Sequence, residues 1–313
     1  MTQIAGIIAP VFGVMAVGYL AVRVGLFGAV MVRRLVLFVF NAAIPVMLFY
    51  RIATIDFPEQ IAWTFLGGYY ASAFAAFGLG MLSARFLFHR PIDEQSIHGL
   101  GGGFSNTVLL GIPLLVSAFG DEATVPIFLI IAFHSATLLP VSILLIETGR
   151  RREGRVSSGR VARLVFEVLA NPIIAGILLG LGANLAGLTP LPAPIDAVGS
   201  LMSVVAIPGS LLALGASLAG YRLEGQLAPA SVLVGIKLLV QPVLAWVLVV
   251  PVLGLGWPWA QVAVVMAGMP SGAMVYLFGA RYESASEVAA GTVVISSACS
   301  VVTLSILLVL MGA

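Results

Sequence analysis

The chain has 313 residues, of which 60% are hydrophobic and only 9% charged, and its formal net charge is +2. Soluble domains carry about 25% charged residues, so a water-soluble fold of this length is excluded. The low charge, without a basic run interleaved with aromatics, also excludes a nucleic-acid partner.

The apolar residues fall in runs of about 20, the length that crosses a hydrocarbon core of about 30 Å at about 1.5 Å per residue. Short alternating segments of the kind that build a membrane barrel are missing. In chain order the runs predict helical spans at 4–22, 34–54, 61–88, 97–119, 123–146, 164–185, 197–220, 228–250, 259–280 and 287–311. The expected fold is therefore an all-α polytopic membrane protein of ten transmembrane helices. Met1 to Pro10 lacks a basic start and a small-residue cleavage site, so the first run reads as an uncleaved helix rather than a signal peptide. The fourth and ninth runs are interrupted by Gly, Pro and polar residues. The single cysteine, Cys299, lies in the last run and allows no internal disulfide.

Charge placement tests the count. With ten spans, Arg23, Arg33, Arg34, Arg85, Arg90, Arg150, Arg151, Arg152, Arg155, Arg160, Arg163, Arg222 and Arg281 share one face. Arg51 lies opposite and Lys237 falls inside the eighth span. The positive-inside rule makes the Arg-rich face cytoplasmic and places both termini on the extracytoplasmic side. The loop at 147–163 reads as a solvated linker that sets this orientation; anionic lipid headgroups are the other partner its arginines suit.

That linker divides the chain into 1–148, a basic cytoplasmic segment 149–163, and 164–313, with five spans in each half. An odd number of spans per half requires any repeat to be inverted in the membrane. Pro10, Gly18, Gly25 and Leu26 recur as Pro172, Gly180, Gly187 and Leu188 at a constant interval of 162, and Pro45 answers Pro208. The interrupted stretch Gly101 to Thr107, with Gly111 and Pro113, corresponds to Gly268 to Gly272 around Pro270. Two inverted five-helix repeats with helices 4 and 9 broken are thus expected.

Each break exposes peptide groups that cost several kcal/mol in hydrocarbon unless protein or cavity water satisfies them. Half-helix N-termini at such breaks offer N–H groups to an anion. Asn106 is the leading candidate substrate ligand, with Ser105, Thr107 and Ser271 beside it; Pro113, Pro270, Gly111 and Gly272 are the expected helix breakers. Serine and threonine within spans commonly bond back to their own helix, which is the competing reading for these three. Lys237, the sole lysine, either pairs with an anionic substrate, titrates during transport, or snorkels to the nearer interface. His134 in the fifth span is a candidate proton-coupling group or a neutral interhelical brace. His89 and His98 are expected at the interface. Every Asp and Glu falls in loops, the linker or span ends, so no carboxylate cation site is evident and the ligand is expected to be an anion. No metal-ligand cluster and no cofactor motif is present, and no nucleotide-binding G-x-x-x-x-G-K-[ST] segment.

Phe40-Asn41-Ala42-Ala43-Ile44-Pro45, Ser105-Asn106-Thr107 continuing to Leu115, Asn171-Pro172-Ile173-Ile174, Ala213 to Leu218, and Met269-Pro270-Ser271 continuing to Tyr282 resemble the auxin efflux carrier family. That family includes bacterial malonate-type transporters and shares the fold of bile-acid sodium symporters. The resemblance implies a scaffold of helices 1, 2, 6 and 7, a transport domain of helices 3–5 and 8–10, a crossing of helices 4 and 9 at the substrate, and a homodimer through the scaffold. It implies a secondary carrier of the efflux type in a bacterial inner membrane, moving a small organic anion such as malonate or malate by an elevator-like alternation. Asn106 takes the place of the family's crossover asparagine. Ser105 stands where the plant exporters have proline and Ser271 where they have a longer amide, which argues against auxin itself. The alternatives are an intramembrane hydrolase, in which Lys237 would activate Ser271, and a transporter-like sensor or channel. An enzyme is not expected, since no histidine cluster or oxyanion hole is marked.

Overall fold

The computed structural model describes residues 2–57, 61–152, 166, 170–221 and 226–312. The basic segment expected at 149–163 lies largely outside these, as do Arg155, Arg160, Arg163 and Arg222. Among the described residues the chain is helical throughout, relieved by one isolated antiparallel bridge between Ser105 and Ser271. The helices are α1 (Thr2–Arg23), α2 (Ala29–Thr54), α3 (Thr64–Phe86), α4 (Ile92–Gly103), α5 (Thr107–Phe119), α6 (Thr124–Arg152), α7 (Pro172–Leu185), α8 (Ala193–Gly220), α9 (Leu227–Val252), α10 (Trp259–Ala267), α11 (Met274–Arg281) and α12 (Ser286–Leu310). Seven of them, α1, α2, α3, α6, α8, α9 and α12, are long and apolar enough to cross a membrane. The fourth and ninth expected spans are each two half-helices, α4 with α5 and α10 with α11. The sixth is described only as α7, of 14 residues, opened by Asn171, whose Oδ1 accepts from Ile173 N–H at 2.9 Å.

Prolines inside these helices widen them more often than they break them. A proline lacks an N–H and its ring crowds the carbonyl one turn back. The five-residue π-turns Val39–Ala43, Thr107–Gly111 and Ile236–Val240 stand just ahead of Pro45, Pro113 and Pro242, and a fourth, Leu248–Val252, contains Pro251. The wider turn makes room for the ring and lets the helix continue. Gly111 and Pro113, expected as breakers, therefore lie inside continuous helix; the interruption sits upstream, at Phe104–Asn106.

Helices α1, α2, α7 and α8 pack chiefly against one another, while α3, α4 and α6 form a second group and α9 to α12 adjoin it. The α1–α8 crossing is close because it is made on glycine. A Cβ on Gly215 would strike the Met15 carbonyl, and one on Gly18 the Leu212 carbonyl. Asn184 of α7 donates to the carbonyls of Ile52, Ala53 and Ile55, closing the end of α2 that has no further turn to bond. Large apolar side chains such as Leu20, Leu178, Leu179, Leu201 and Val204 remain on the outside, as a lipid-facing surface requires.

Two expectations are corrected here. Asp93 and Glu94 occupy the first turn of α4, not a loop, where negative charge complements the helix dipole. His98 is fully buried instead of interfacial, with Nδ1 2.8 Å from the Glu94 carbonyl one turn back.

Candidate functional site

The two breaks meet. Asn106 N–H donates to the Pro270 carbonyl at 2.8 Å, and Gly272 N–H donates to the Phe104 carbonyl at 3.0 Å. These two bonds flank Ser105 and Ser271 as a non-hydrogen-bonded antiparallel pair, which turns the peptide groups of both serines outward. Gly272 is required by this approach: a Cβ there would come within 2.9 Å of the Phe104 ring and 3.3 Å of the Ser105 carbonyl.

The outward N–H groups each find a partner on another helix. Ser105 N–H donates to His134 Nε2 on α6 at 3.0 Å, and Ser271 N–H donates to Ser296 Oγ on α12 at 3.1 Å. A nitrogen that accepts carries no proton, so the His134 imidazole is neutral with its proton on Nδ1, which faces the Tyr69 hydroxyl at 3.4 Å. A second proton, placed on Nε2, would confront the Ser105 N–H and remove that bond. His134 is thus tied to the geometry of the break.

Of the two serines, Ser271 holds the crossover with its side chain, whereas the Ser105 hydroxyl is buried without a hydrogen-bond partner among the described residues. Ser271 Oγ donates to the Gly101 carbonyl at 2.6 Å, near the end of α4. The Ser105 carbonyl accepts from Thr107 N–H at 2.9 Å, and both Ser105 and Thr107 are buried. Asn106 is the N-cap of α5. Its Oδ1 accepts from Leu109 N–H at 3.2 Å, which fixes which way the amide faces. The other end, Nδ2, is buried and has no hydrogen-bond partner among the described residues.

Lys237 does not snorkel. It is fully buried within the π-turn of α9, and its Nζ donates to the Ala267 carbonyl at 2.6 Å. Ala267 is the last residue of α10, so the ammonium sits on the negative end of a half-helix. Among the described residues no carboxylate pairs with it. Because Lys237 and Ser271 are held by different carbonyls, Ala267 and Gly101, the Ser–Lys pairing of a hydrolase is not formed here. Tyr69, Ser296 and Gln241 are further members of this region that sequence reasoning missed. Of the three, only Gln241 left a signal, one polar residue four positions after Lys237 and next to Pro242.

A separate cavity of about 640 Å³ opens where α2 ends and α6 and α10 begin, lined by Tyr50, Arg51, Thr124, Pro126 and Trp259 among others. Arg51 Nη1 reaches Asp121 Oδ1 across it at 3.3 Å.

The model of the family described as "Membrane transport protein" matches residues 4–308. A protein of Rhizobium meliloti (strain 1021) named "Putative malonate transporter" is 27% identical over 317 residues, covering 99% of this chain and 96% of the relative. With apolar spans along its length and two broken helices pinned together inside it, the chain is an integral membrane protein that belongs to the membrane transport protein family, the auxin efflux carrier group its motifs resemble.

Proposed function

We propose that this transporter is a secondary carrier of a small organic anion, a short dicarboxylate such as malonate or malate, bound where α4/α5 and α10/α11 cross. The observation that carries this reading is Asn106: its oxygen is fixed by Leu109 N–H, so what it offers a ligand is a buried, unpartnered donor. A donor calls for an acceptor such as a carboxylate. Lys237 adds a buried amino group that has donor capacity beyond the bond to Ala267 and no carboxylate partner among the described residues. The name of the Rhizobium relative favours a short diacid.

The same reading takes the chain as ten helices in two inverted repeats. Its support is the interval of 162 positions between Pro10 and Pro172, which also separates His134 from Ser296, the two side chains that cap the outward N–H groups. The group α1, α2, α7 and α8 would be the scaffold and the dimer surface. The other helices would move past it as an elevator in the bacterial inner membrane, with both termini on the extracytoplasmic side.

Flux of labelled malonate and malate into proteoliposomes tests the proposal. Saturable uptake, accelerated by unlabelled acid on the far side, is the expected result. Flux that stays linear in concentration would mark a channel, and none above empty vesicles would refute the anion reading.

A further inference from the structure

Gln241 takes no part in the contacts above, yet it is fully buried, and among the described residues both its Nε2 and its Oε1 lack a hydrogen-bond partner. An unpartnered buried amide is costly at each end, so a residue kept in this state points to a partner that arrives from outside the chain. The amide's orientation does not matter to this argument, because both ends are free.

Its position ties it to the crossover. Gln241 follows the π-turn Ile236–Val240 that carries Lys237, whose Nζ holds the last carbonyl of α10. Its neighbour Pro242 lies 3.6 Å from where a side chain on Gly268 would begin, the first residue past α10. Pro270, two residues on, accepts from Asn106 N–H. Met266, just before Ala267, packs against Gly111 of the turn that Asn106 caps. The helix that carries Gln241 thus packs against the end of α10, beside the break that Asn106 borders from α5.

We infer that Gln241 is a second ligand-contacting residue of the carrier site and that it reads a hydroxyl. Resting on the proposed function, the inference narrows the substrate. Asn106 Nδ2 and Lys237 Nζ present donors only, which a carboxylate satisfies. Gln241 presents a donor and an acceptor side by side, and its acceptor calls for a hydrogen on the ligand, which in an organic acid without nitrogen is an O–H. The class that fits all three is a hydroxy-carboxylate, or a diacid retaining one proton, in preference to a fully ionised plain diacid. Sites that bond a ligand hydroxyl discriminate strongly against the analogue lacking it, because a buried polar group is then left unpaired.

The test uses the purified full-length protein in lipid nanodiscs at pH 7.5, with malate and succinate, which differ by one hydroxyl, as probes. Dissociation constants and the ligand-free melting temperature are measured for the wild type, Gln241→Leu and Gln241→Glu. The expected wild type binds malate at least about 10-fold more tightly than succinate. Gln241→Leu brings the two constants together and melts no lower than the wild type without ligand, since it removes an unpaired amide. Gln241→Glu keeps an acceptor and adds a negative charge, and weakens both acids. Unchanged constants and an unchanged ratio in Gln241→Leu overturn the inference and leave the carrier reading standing. A Gln241→Leu protein that melts lower and keeps the malate preference assigns Gln241 to the fold and overturns it too. Failure of both acids to bind the wild type overturns the organic-anion reading and the substrate class with it.

Discussion

Asn106 separates binding from folding more cleanly than any other position. Its side chain does two things with two atoms: Oδ1 caps α5 through Leu109 N–H, and Nδ2 is free for a ligand. Asn106→Ala removes both. The lost cap costs about 1 kcal/mol of stability, and the lost hydrogen bond to a charged acceptor costs about 1.5–3 kcal/mol of binding. At about 1.4 kcal/mol per tenfold, binding weakens roughly 10- to 150-fold. Asn106→Asp keeps the capping oxygen and exchanges the donor for a second oxygen with a negative charge. It should melt near the wild type yet bind carboxylates at least as poorly as the alanine variant. The assay is titration of malonate and malate by calorimetry or by thermal stabilisation, which reaches about 2.7 kcal/mol when the ligand is at 100 times its dissociation constant. If Asn106→Asp binds either acid as tightly as the wild type, the donor assignment is wrong and the ligand lies elsewhere.

Lys237→Met should weaken acid binding by at least about 10-fold and also lower stability by about 1–3 kcal/mol, because the Ala267 carbonyl loses its donor; unchanged dissociation constants would confine the lysine to a structural role. Gly272→Ala must displace the Phe104 ring and crowd the Ser105 carbonyl, so it should cost about 1–3 kcal/mol in thermal unfolding and most of the transport rate; a wild-type melting curve and flux would show that the crossing tolerates a side chain. Asp121→Asn should leave stability within about 0.5 kcal/mol, since Asp121 is 91% exposed in its pair with Arg51. The same variant should make transport less sensitive to ionic strength, because the pair spans the cavity between α2 and α6; a flux whose salt dependence matches the wild type would argue against the pair's opening during the cycle.

How far the sequence could be read follows from what each feature depends on. Membrane helices are local: an apolar run of sufficient length specifies one, and the seven long helices lie within a few residues of the runs that suggested them. Helix α2 begins at Ala29 instead of 34 because Arg33 and Arg34 are tolerated near its end, where they reach water. Asn106 was legible because an amide among glycines in a hydrophobic chain has few local uses. The burial of Lys237 was not, since a lysine a third of the way along a span snorkels or stays according to what faces it. The carbonyl that holds it belongs to Ala267, thirty residues later.

The breaks make the same point more sharply. Pro113 and Pro270 were expected to mark them, and Pro270 does stand in the second break, yet Pro113 sits in helix that continues past it with a widened turn, as Pro45 and Pro242 do. What ends α4 at Gly103 is a second extended peptide to pair with. Phe104 and Asn106 exchange backbone bonds with Gly272 and Pro270, and His134 and Ser296 take the N–H groups left over. A break in a membrane helix is stable only where all its peptide groups find partners, so its location is a property of four helices together. Gln241 shows the converse. Along the chain its one mark is to be a polar residue four positions after Lys237, and it becomes conspicuous only in the fold, where its buried amide, like Asn106 Nδ2, has no partner among the described residues. In a chain this apolar, the groups the fold leaves unpaired say more about the ligand than those it has paired.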